Sequence, residues 1–124
     1  MSLKEYLGAE EADPLIPRIA TGLAGGIGRS GSSHCGVLIG SVMAIGIKWG
    51  RDDPTDRPAI LKTYQQVQKF WDRFEAEFGN RDCQVLTDYN LGDLEQYKTW
   101  LATGGREKCT TLIEKAFHIA FEYI

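Results

Sequence analysis

Residues 35–47 read Cys-Gly-Val-Leu-Ile-Gly-Ser-Val-Met-Ala-Ile-Gly-Ile, a run without a charge in which Ser41 is the one polar side chain apart from the thiol. Such a run cannot face water along its length. Ser32 or Ser33 supplies a cap and Gly50 a stop, so the run predicts a central helix over about residues 33–49, apolar nearly all round and buried. It falls short of the about 20 residues that a bilayer span requires. Gly36, Gly40 and Ala44 fall four apart, a small-residue stripe that allows another helix to approach closely.

The rest of the chain must cover this helix. A helix over about residues 15–24 turns Ile16, Ile19, Ala20 and Leu23 inward, and residues 2–7 read as the tail of another that Gly8 ends. Asp56 caps, and Pro58 opens, a long helix reaching about Phe78, with a seam of Ile60, Tyr64, Val67, Trp71, Phe74 and Phe78. Asp82 caps a short helix carrying Cys83. Residues 91–102 form the next helix, with Leu94, Tyr97, Trp100 and Leu101 inward. Residues 107–123 form the last, whose apolar face includes Cys109, Leu112, Ile113 and Phe117. No strand pattern occurs. The expected fold is all-α, a compact helical bundle around the central helix and a single domain over residues 1–124.

The literal G-x-G-x-x-G at Gly26, Gly28 and Gly31 identifies a dinucleotide site only between a strand and a helix. Here a helix precedes it, so the Rossmann reading is rejected. A formal net charge of -3 leaves no electrostatic footprint for nucleic acid or for a basic membrane-binding face. The polar start Met1-Ser-Leu-Lys-Glu-Tyr is no signal peptide, and Met1-Ser2-Leu3 reads equally as an expression scar. A cytoplasmic protein is expected. Its three cysteines, at 35, 83 and 109, are an odd number without any Cys-x-x-Cys, which argues against a static disulfide framework.

Position is what distinguishes these thiols. Each falls at or near the start of its predicted helix, where unpaired N–H groups and partial positive charge stabilise a thiolate. Arg29 and His34 stand near Cys35, Arg81 near Cys83, and Arg106 and Lys108 near Cys109. The competing explanation is packing, because free cysteine behaves as a small buried hydrophobe and Cys109 fits an apolar face. A solvated loop histidine is the ordinary reading of His34, and a half-buried surface histidine that of His118.

Three blocks of the chain resemble a known family. Gly25-Gly26-Ile27-Gly28-Arg29, then Cys35-Gly36-Val37-Leu38-Ile39-Gly40, then Met43-Ala44-Ile45-Gly46-Ile47 with Gly50 are similar to the signature of the C_GCAxxG_C_C family. Phe74-x-x-x-Phe78-Gly79-x-x-x-Cys83 resembles its second cysteine block, and Cys109-x-x-Leu112-Ile113-x-x-Ala116 its final cysteine helix. The resemblance implies a small all-helical redox protein with four cysteines. This chain departs from that pattern twice. Val37 stands where the family has alanine, and the chain begins after the place of the family's first cysteine, by truncation or by loss.

The leading expectation is a cytosolic thiol redox protein, with thiol–disulfide oxidoreductase as its activity if it is an enzyme. Cys35 would attack, Cys83 or Cys109 would resolve, and the loop and its surroundings (Gly25, Gly26, Gly28, Arg29, His34 and Gly36) would admit the substrate. A redox partner protein or a small thiol would be the partner, and a homodimer is compatible with the apolar central helix. No cofactor is required in that case. In the alternative, Cys35, Cys83, Cys109 and His34 would hold zinc or an iron–sulfur cluster, which needs the sulfurs within about 4 Å of one another. A third reading is a partner-binding helical domain with packed, enclosed cysteines.

Overall fold

The computed structural model describes residues 15–124. The helix expected over residues 2–7 and the Asp13-Pro14 cap lie outside the described residues. Within them the chain forms α1 (Leu15–Ala20) with a 3₁₀ turn (Thr21–Leu23), α2 (Gly36–Trp49), α3 (Arg57–Phe78), α4 (Cys83–Thr87), α5 (Leu94–Ala102) and α6 (Gly105–Ala120) with a closing 3₁₀ turn (Phe121–Tyr123). An all-α fold is therefore shown. Among the described residues the β-type pairing is a lone antiparallel bridge, His34 with Asp82.

Helix ends follow local chemistry. The Asp56 carboxylate accepts from the Ala59 N–H at 3.1 Å with Pro58 in the first turn, and Gly79 closes α3 in the left-handed region. Asp82 and Asp93 accept from Gln84 and Gln96, each at 3.0 Å, and so start α4 and α5. At α2 the expectation needs correction. Neither Ser32 nor Ser33 caps it; Cys35 itself occupies the N-cap position.

α2 packs against α3 and α6, and its Leu38 and Ile45 are fully buried with Phe70 and Phe74 of α3 and Ala116 of α6. The α3 seam is rotated from the expected one. Phe70 and Gln66 face the core, whereas Tyr64 is 59% exposed. The Gln66 side chain is tolerated there because its amide donates to the Tyr123 carbonyl at 3.1 Å, which also accepts from the Trp49 indole at 2.9 Å. Ile19, Leu94, Ile113 and Leu101, each expected inside, are exposed. The first lies in a short α1, and the third lines a cavity described below. Among the described residues no helix is long and apolar enough to cross a membrane.

A second, smaller core joins Cys83, Leu91 and Trp100, with Tyr89, Tyr97 and Cys109 packed against it. Its assembly depends on missing side chains. A Cβ on Gly105 would fall 2.2 Å from the Trp100 ring. Likewise a Cβ on Gly31 would meet the Leu91 N at 2.7 Å, and one on Gly92 the Ser30 carbonyl oxygen at 2.5 Å. The glycine loop thus docks backbone to backbone on the turn before α5.

Candidate functional site

The glycine loop is built as a tight left-handed turn. Residues 25–29 have φ of 67°, 76°, 65°, 62° and 53° in succession. Glycine at 25, 26 and 28 accepts this readily, while Ile27 and Arg29 adopt it against a steric cost of about 1–2 kcal/mol each. Hydrogen bonds from Gly28 N to Gly22 O (2.7 Å) and from Gly31 N to Gly25 O (2.9 Å) hold the turn, and the Ser30 hydroxyl donates to the Gly26 carbonyl.

Two further backbone bonds then join the approaches to the first two thiols. Cys35 N donates to Arg81 O at 2.7 Å and Cys83 N donates to Ser33 O at 3.0 Å. These bonds flank the His34–Asp82 bridge, so the segments leading into α2 and α4 are tied side by side. Neighbouring side chains on an extended backbone point to opposite faces. His34 therefore turns away from Cys35 and meets the Trp71 ring edge-on, with centroids 5.0 Å apart. Arg81 shares that outer side. It bonds Glu75 at 2.7 Å, Asp72 at 3.4 Å and the Trp71 carbonyl at 3.2 Å, and lies over the Trp71 ring. The arginine expected to activate Cys83 is instead an anchor between the bridge and α3.

Inside the bridge, Cys35, Cys83 and Cys109 line one cavity of about 770 Å³. All three are free thiols, with Cys35 8% and Cys83 4% exposed and Cys109 half-buried. Of the residues expected to give access, Gly25, Gly28, Arg29 and Gly36 line the same cavity. Gly26 and His34 do not line it. Gly26 instead lies against Cys83, where a Cβ would sit 3.1 Å from the Cys83 Cβ. The Gly36-Gly40-Ala44 stripe also differs from expectation. The Leu23–Ala24 backbone approaches Gly36 closely, but a Cβ on Gly40 would meet nothing within 4 Å, so the stripe forms a smooth wall of the cavity.

Burial decides the thiol chemistry. It raises the pKa of Cys35, against which the Val37 and Leu38 N–H groups at the start of α2 act, although the sulfur makes no standard cap hydrogen bond. Cys83 is pushed up to about 11, first by burial, then by the charges of Cys35, Cys109 and Asp82, with Thr87 opposing. Cys109 is raised by burial and then by Cys35, and it lies in the second turn of α6, because that helix begins at Gly105 rather than near 107. The expected lowering of thiol pKa by helix starts is thus outweighed in all three. A thiolate at Cys35 opposes ionisation of the other two.

Charged groups missing from the sequence expectation of the site complete its rim. Arg106 and Lys108 line the cavity with Arg29, whose guanidinium lies 4.4 Å from the Tyr97 ring centroid. Arg106, chiefly by hydrogen bonding, and then Arg29 hold the Tyr97 hydroxyl below the ordinary tyrosine pKa. In sequence, Arg106 and Lys108 could be read only as neighbours of Cys109. The metal alternative fares differently. Among the described residues no group of three or more His, Cys, Asp or Glu side chains is placed to hold a metal ion, and His34 faces Trp71.

An all-helical scaffold that gathers three free thiols on one cavity defines a class of cysteine-centred protein. The family comparison is more specific: the model described as "Putative redox-active protein (C_GCAxxG_C_C)" matches residues 1–123, and the chain belongs to that family. Comparisons with curated proteins and with solved structures found no match.

Proposed function

We propose that this protein carries out thiol–disulfide exchange, with Cys35 as attacking thiol and Cys83 as its resolving partner. The observation that supports this most directly is the convergence of three unpaired thiols on one cavity, two of them on backbone segments bridged to each other. The Cys35 thiolate attacks one sulfur of a disulfide, which belongs to a redox partner protein or a small molecule. That S–S bond breaks, the departing thiolate takes a proton, and a mixed disulfide remains on Cys35. The Cys83 thiolate then attacks the Cys35 sulfur and releases the second thiol. The Cys35–Cys83 dithiol is oxidised to a disulfide and the substrate is reduced by the same two electrons. Cys109, which lines the same cavity, is the other thiol able to resolve the intermediate.

Burial makes every thiolate scarce at neutral pH, so exchange is slow there and rises with pH. Mild oxidation followed by alkylation and mass mapping tests the reading. The expected product is an intramolecular Cys35–Cys83 link that Cys35→Ser abolishes. Thiols that all stay unreactive until the protein unfolds would overturn it.

A further inference from the structure

The cavity has two ends of different chemistry. At one end lie the thiols, where Cys109 feels the charge of Cys35; beyond the other, outside the cavity, the Trp49 indole bonds the Tyr123 carbonyl. α2 and α6 therefore run side by side in the same sense, both leading away from the thiols. On α2 the cavity wall continues from Gly36 to Ala44, about 12 Å along the axis at helical rise. Leu112, Ile113, Phe117 and Ala120 extend the facing wall on α6. The result is an apolar furrow with a smooth floor where Gly40 offers no side chain.

The thiol end is cationic. Arg29, Arg106 and Lys108 line it, and Asp88 is the one carboxylate among the described lining residues. No carboxylate among the described residues forms an ion pair with any of those three cations. The Arg29 guanidinium instead lies 4.4 Å from the Tyr97 ring centroid, and Arg106 lines the cavity beside them. Two guanidinium groups lining one end of a cavity are suited to a carboxylate or phosphate, whose paired oxygens match their donor forks.

We propose that the cavity binds a linear apolar chain ending in an anionic group, a carboxylate or a phosphate monoester. The chain lies along the α2–α6 furrow and the head group lies between Arg29 and Arg106. This goes beyond thiol exchange and does not depend on it. The occupant would lie between the thiols and solvent, so its presence would control their access.

The test uses the full chain, fully reduced, titrated calorimetrically with decanoate, decyl phosphate and decanol. The expected result is that at least one anion binds about tenfold or more tighter than decanol, the scale of a hydrogen bond to a charged group. The tighter of the two identifies the head group. Each methylene removed from the preferred anion should weaken binding about fourfold. The double variant Arg29→Gln/Arg106→Gln should bring the anion to the affinity of decanol and leave decanol unchanged, which also shows that the variant is folded. Binding is read on the reduced protein and involves no thiol exchange, so a failed oxidation experiment leaves this result standing and the reverse. Equal affinity for decanoate, decyl phosphate and decanol, or no binding of any, would overturn the proposal.

Discussion

α2 has two faces, and each obeys a different rule. The face toward α3 is closed: Leu38 and Ile45 have no exposed surface and pack with Phe70 and Phe74. Among the described residues no buried side-chain nitrogen or oxygen lacks a hydrogen-bond partner. The face toward the glycine loop is open, with Gly40, Ser41 and Met43 bordering empty volume and Cys35 at its upper edge. A close-packed interior leaves few voids larger than water, so the open face departs from what stability alone favours. One uncharged run of sequence thus encodes both a core and a recess. What separates them is the size of the side chain at each register position.

The comparison breaks most readily on the closed face. Phe74→Ala removes a fully buried ring that lies 4.7 Å from Phe78 and 6.0 Å from Phe70, centroid to centroid. Loss of about 3–5 kcal/mol is expected, measured by chemical denaturation. The second core is next. Gly105→Ala places a methyl group 2.2 Å from Trp100, and its overpacking should destabilise by about 1–3 kcal/mol. Because Cys83 and Cys109 pack in that cluster, the same change should speed their alkylation more than that of Cys35.

Titration sharpens the contrast from the open side. Cys83 ionises near 11 in the folded protein against 9.0 for an unperturbed thiol. The folded state therefore holds its proton more tightly than the unfolded chain. The corresponding stability is fully present below about pH 9 and is lost as pH rises toward 11. Denaturation midpoints should fall across that window, and Cys83→Ala should flatten the part of the slope due to this thiol. An equal slope in parent and variant would assign the decline to other groups.

How far the sequence revealed these two faces follows from what each depends on. The closed face is a matter of periodicity and caps, which are local. Asp56 and Asp82 are visible as caps, and the apolar run announces α2. The rotation of the α3 seam toward Phe70 and Gln66 was not legible, because Gln66 is tolerated only through a carbonyl 57 residues away. The open face depends on which segments meet. Three thiols near helix starts pointed to a shared site, and the family blocks ordered them. Their pKa direction could not be read, because helix starts act locally while burial is set by the whole fold. The same holds for Arg81, drawn to Glu75, and for Gly92, whose close backbone contacts are with Ser30 and Arg29, adjacent only in space.

The finest test compares two glycines one turn apart on α2. A methyl group at Gly40 would meet nothing within 4 Å, so Gly40→Ala should recover the helix-propensity difference and stabilise by about 0.5–1 kcal/mol. At Gly36 a methyl group would lie 3.1 Å from the Ala24 Cα and 3.2 Å from the Leu23 carbonyl oxygen, both backbone atoms. Gly36→Ala should therefore yield no such gain and should push the Thr21–Leu23 turn outward, seen as faster exchange of the backbone amides of that turn. Stabilisation by Gly40→Ala alone in thermal unfolding would show that one stripe of small residues serves two purposes: close approach at the thiol end and open volume a turn below it. Equal stabilisation by both would mean that the stripe is a uniform recess and that the turn does not rest on α2.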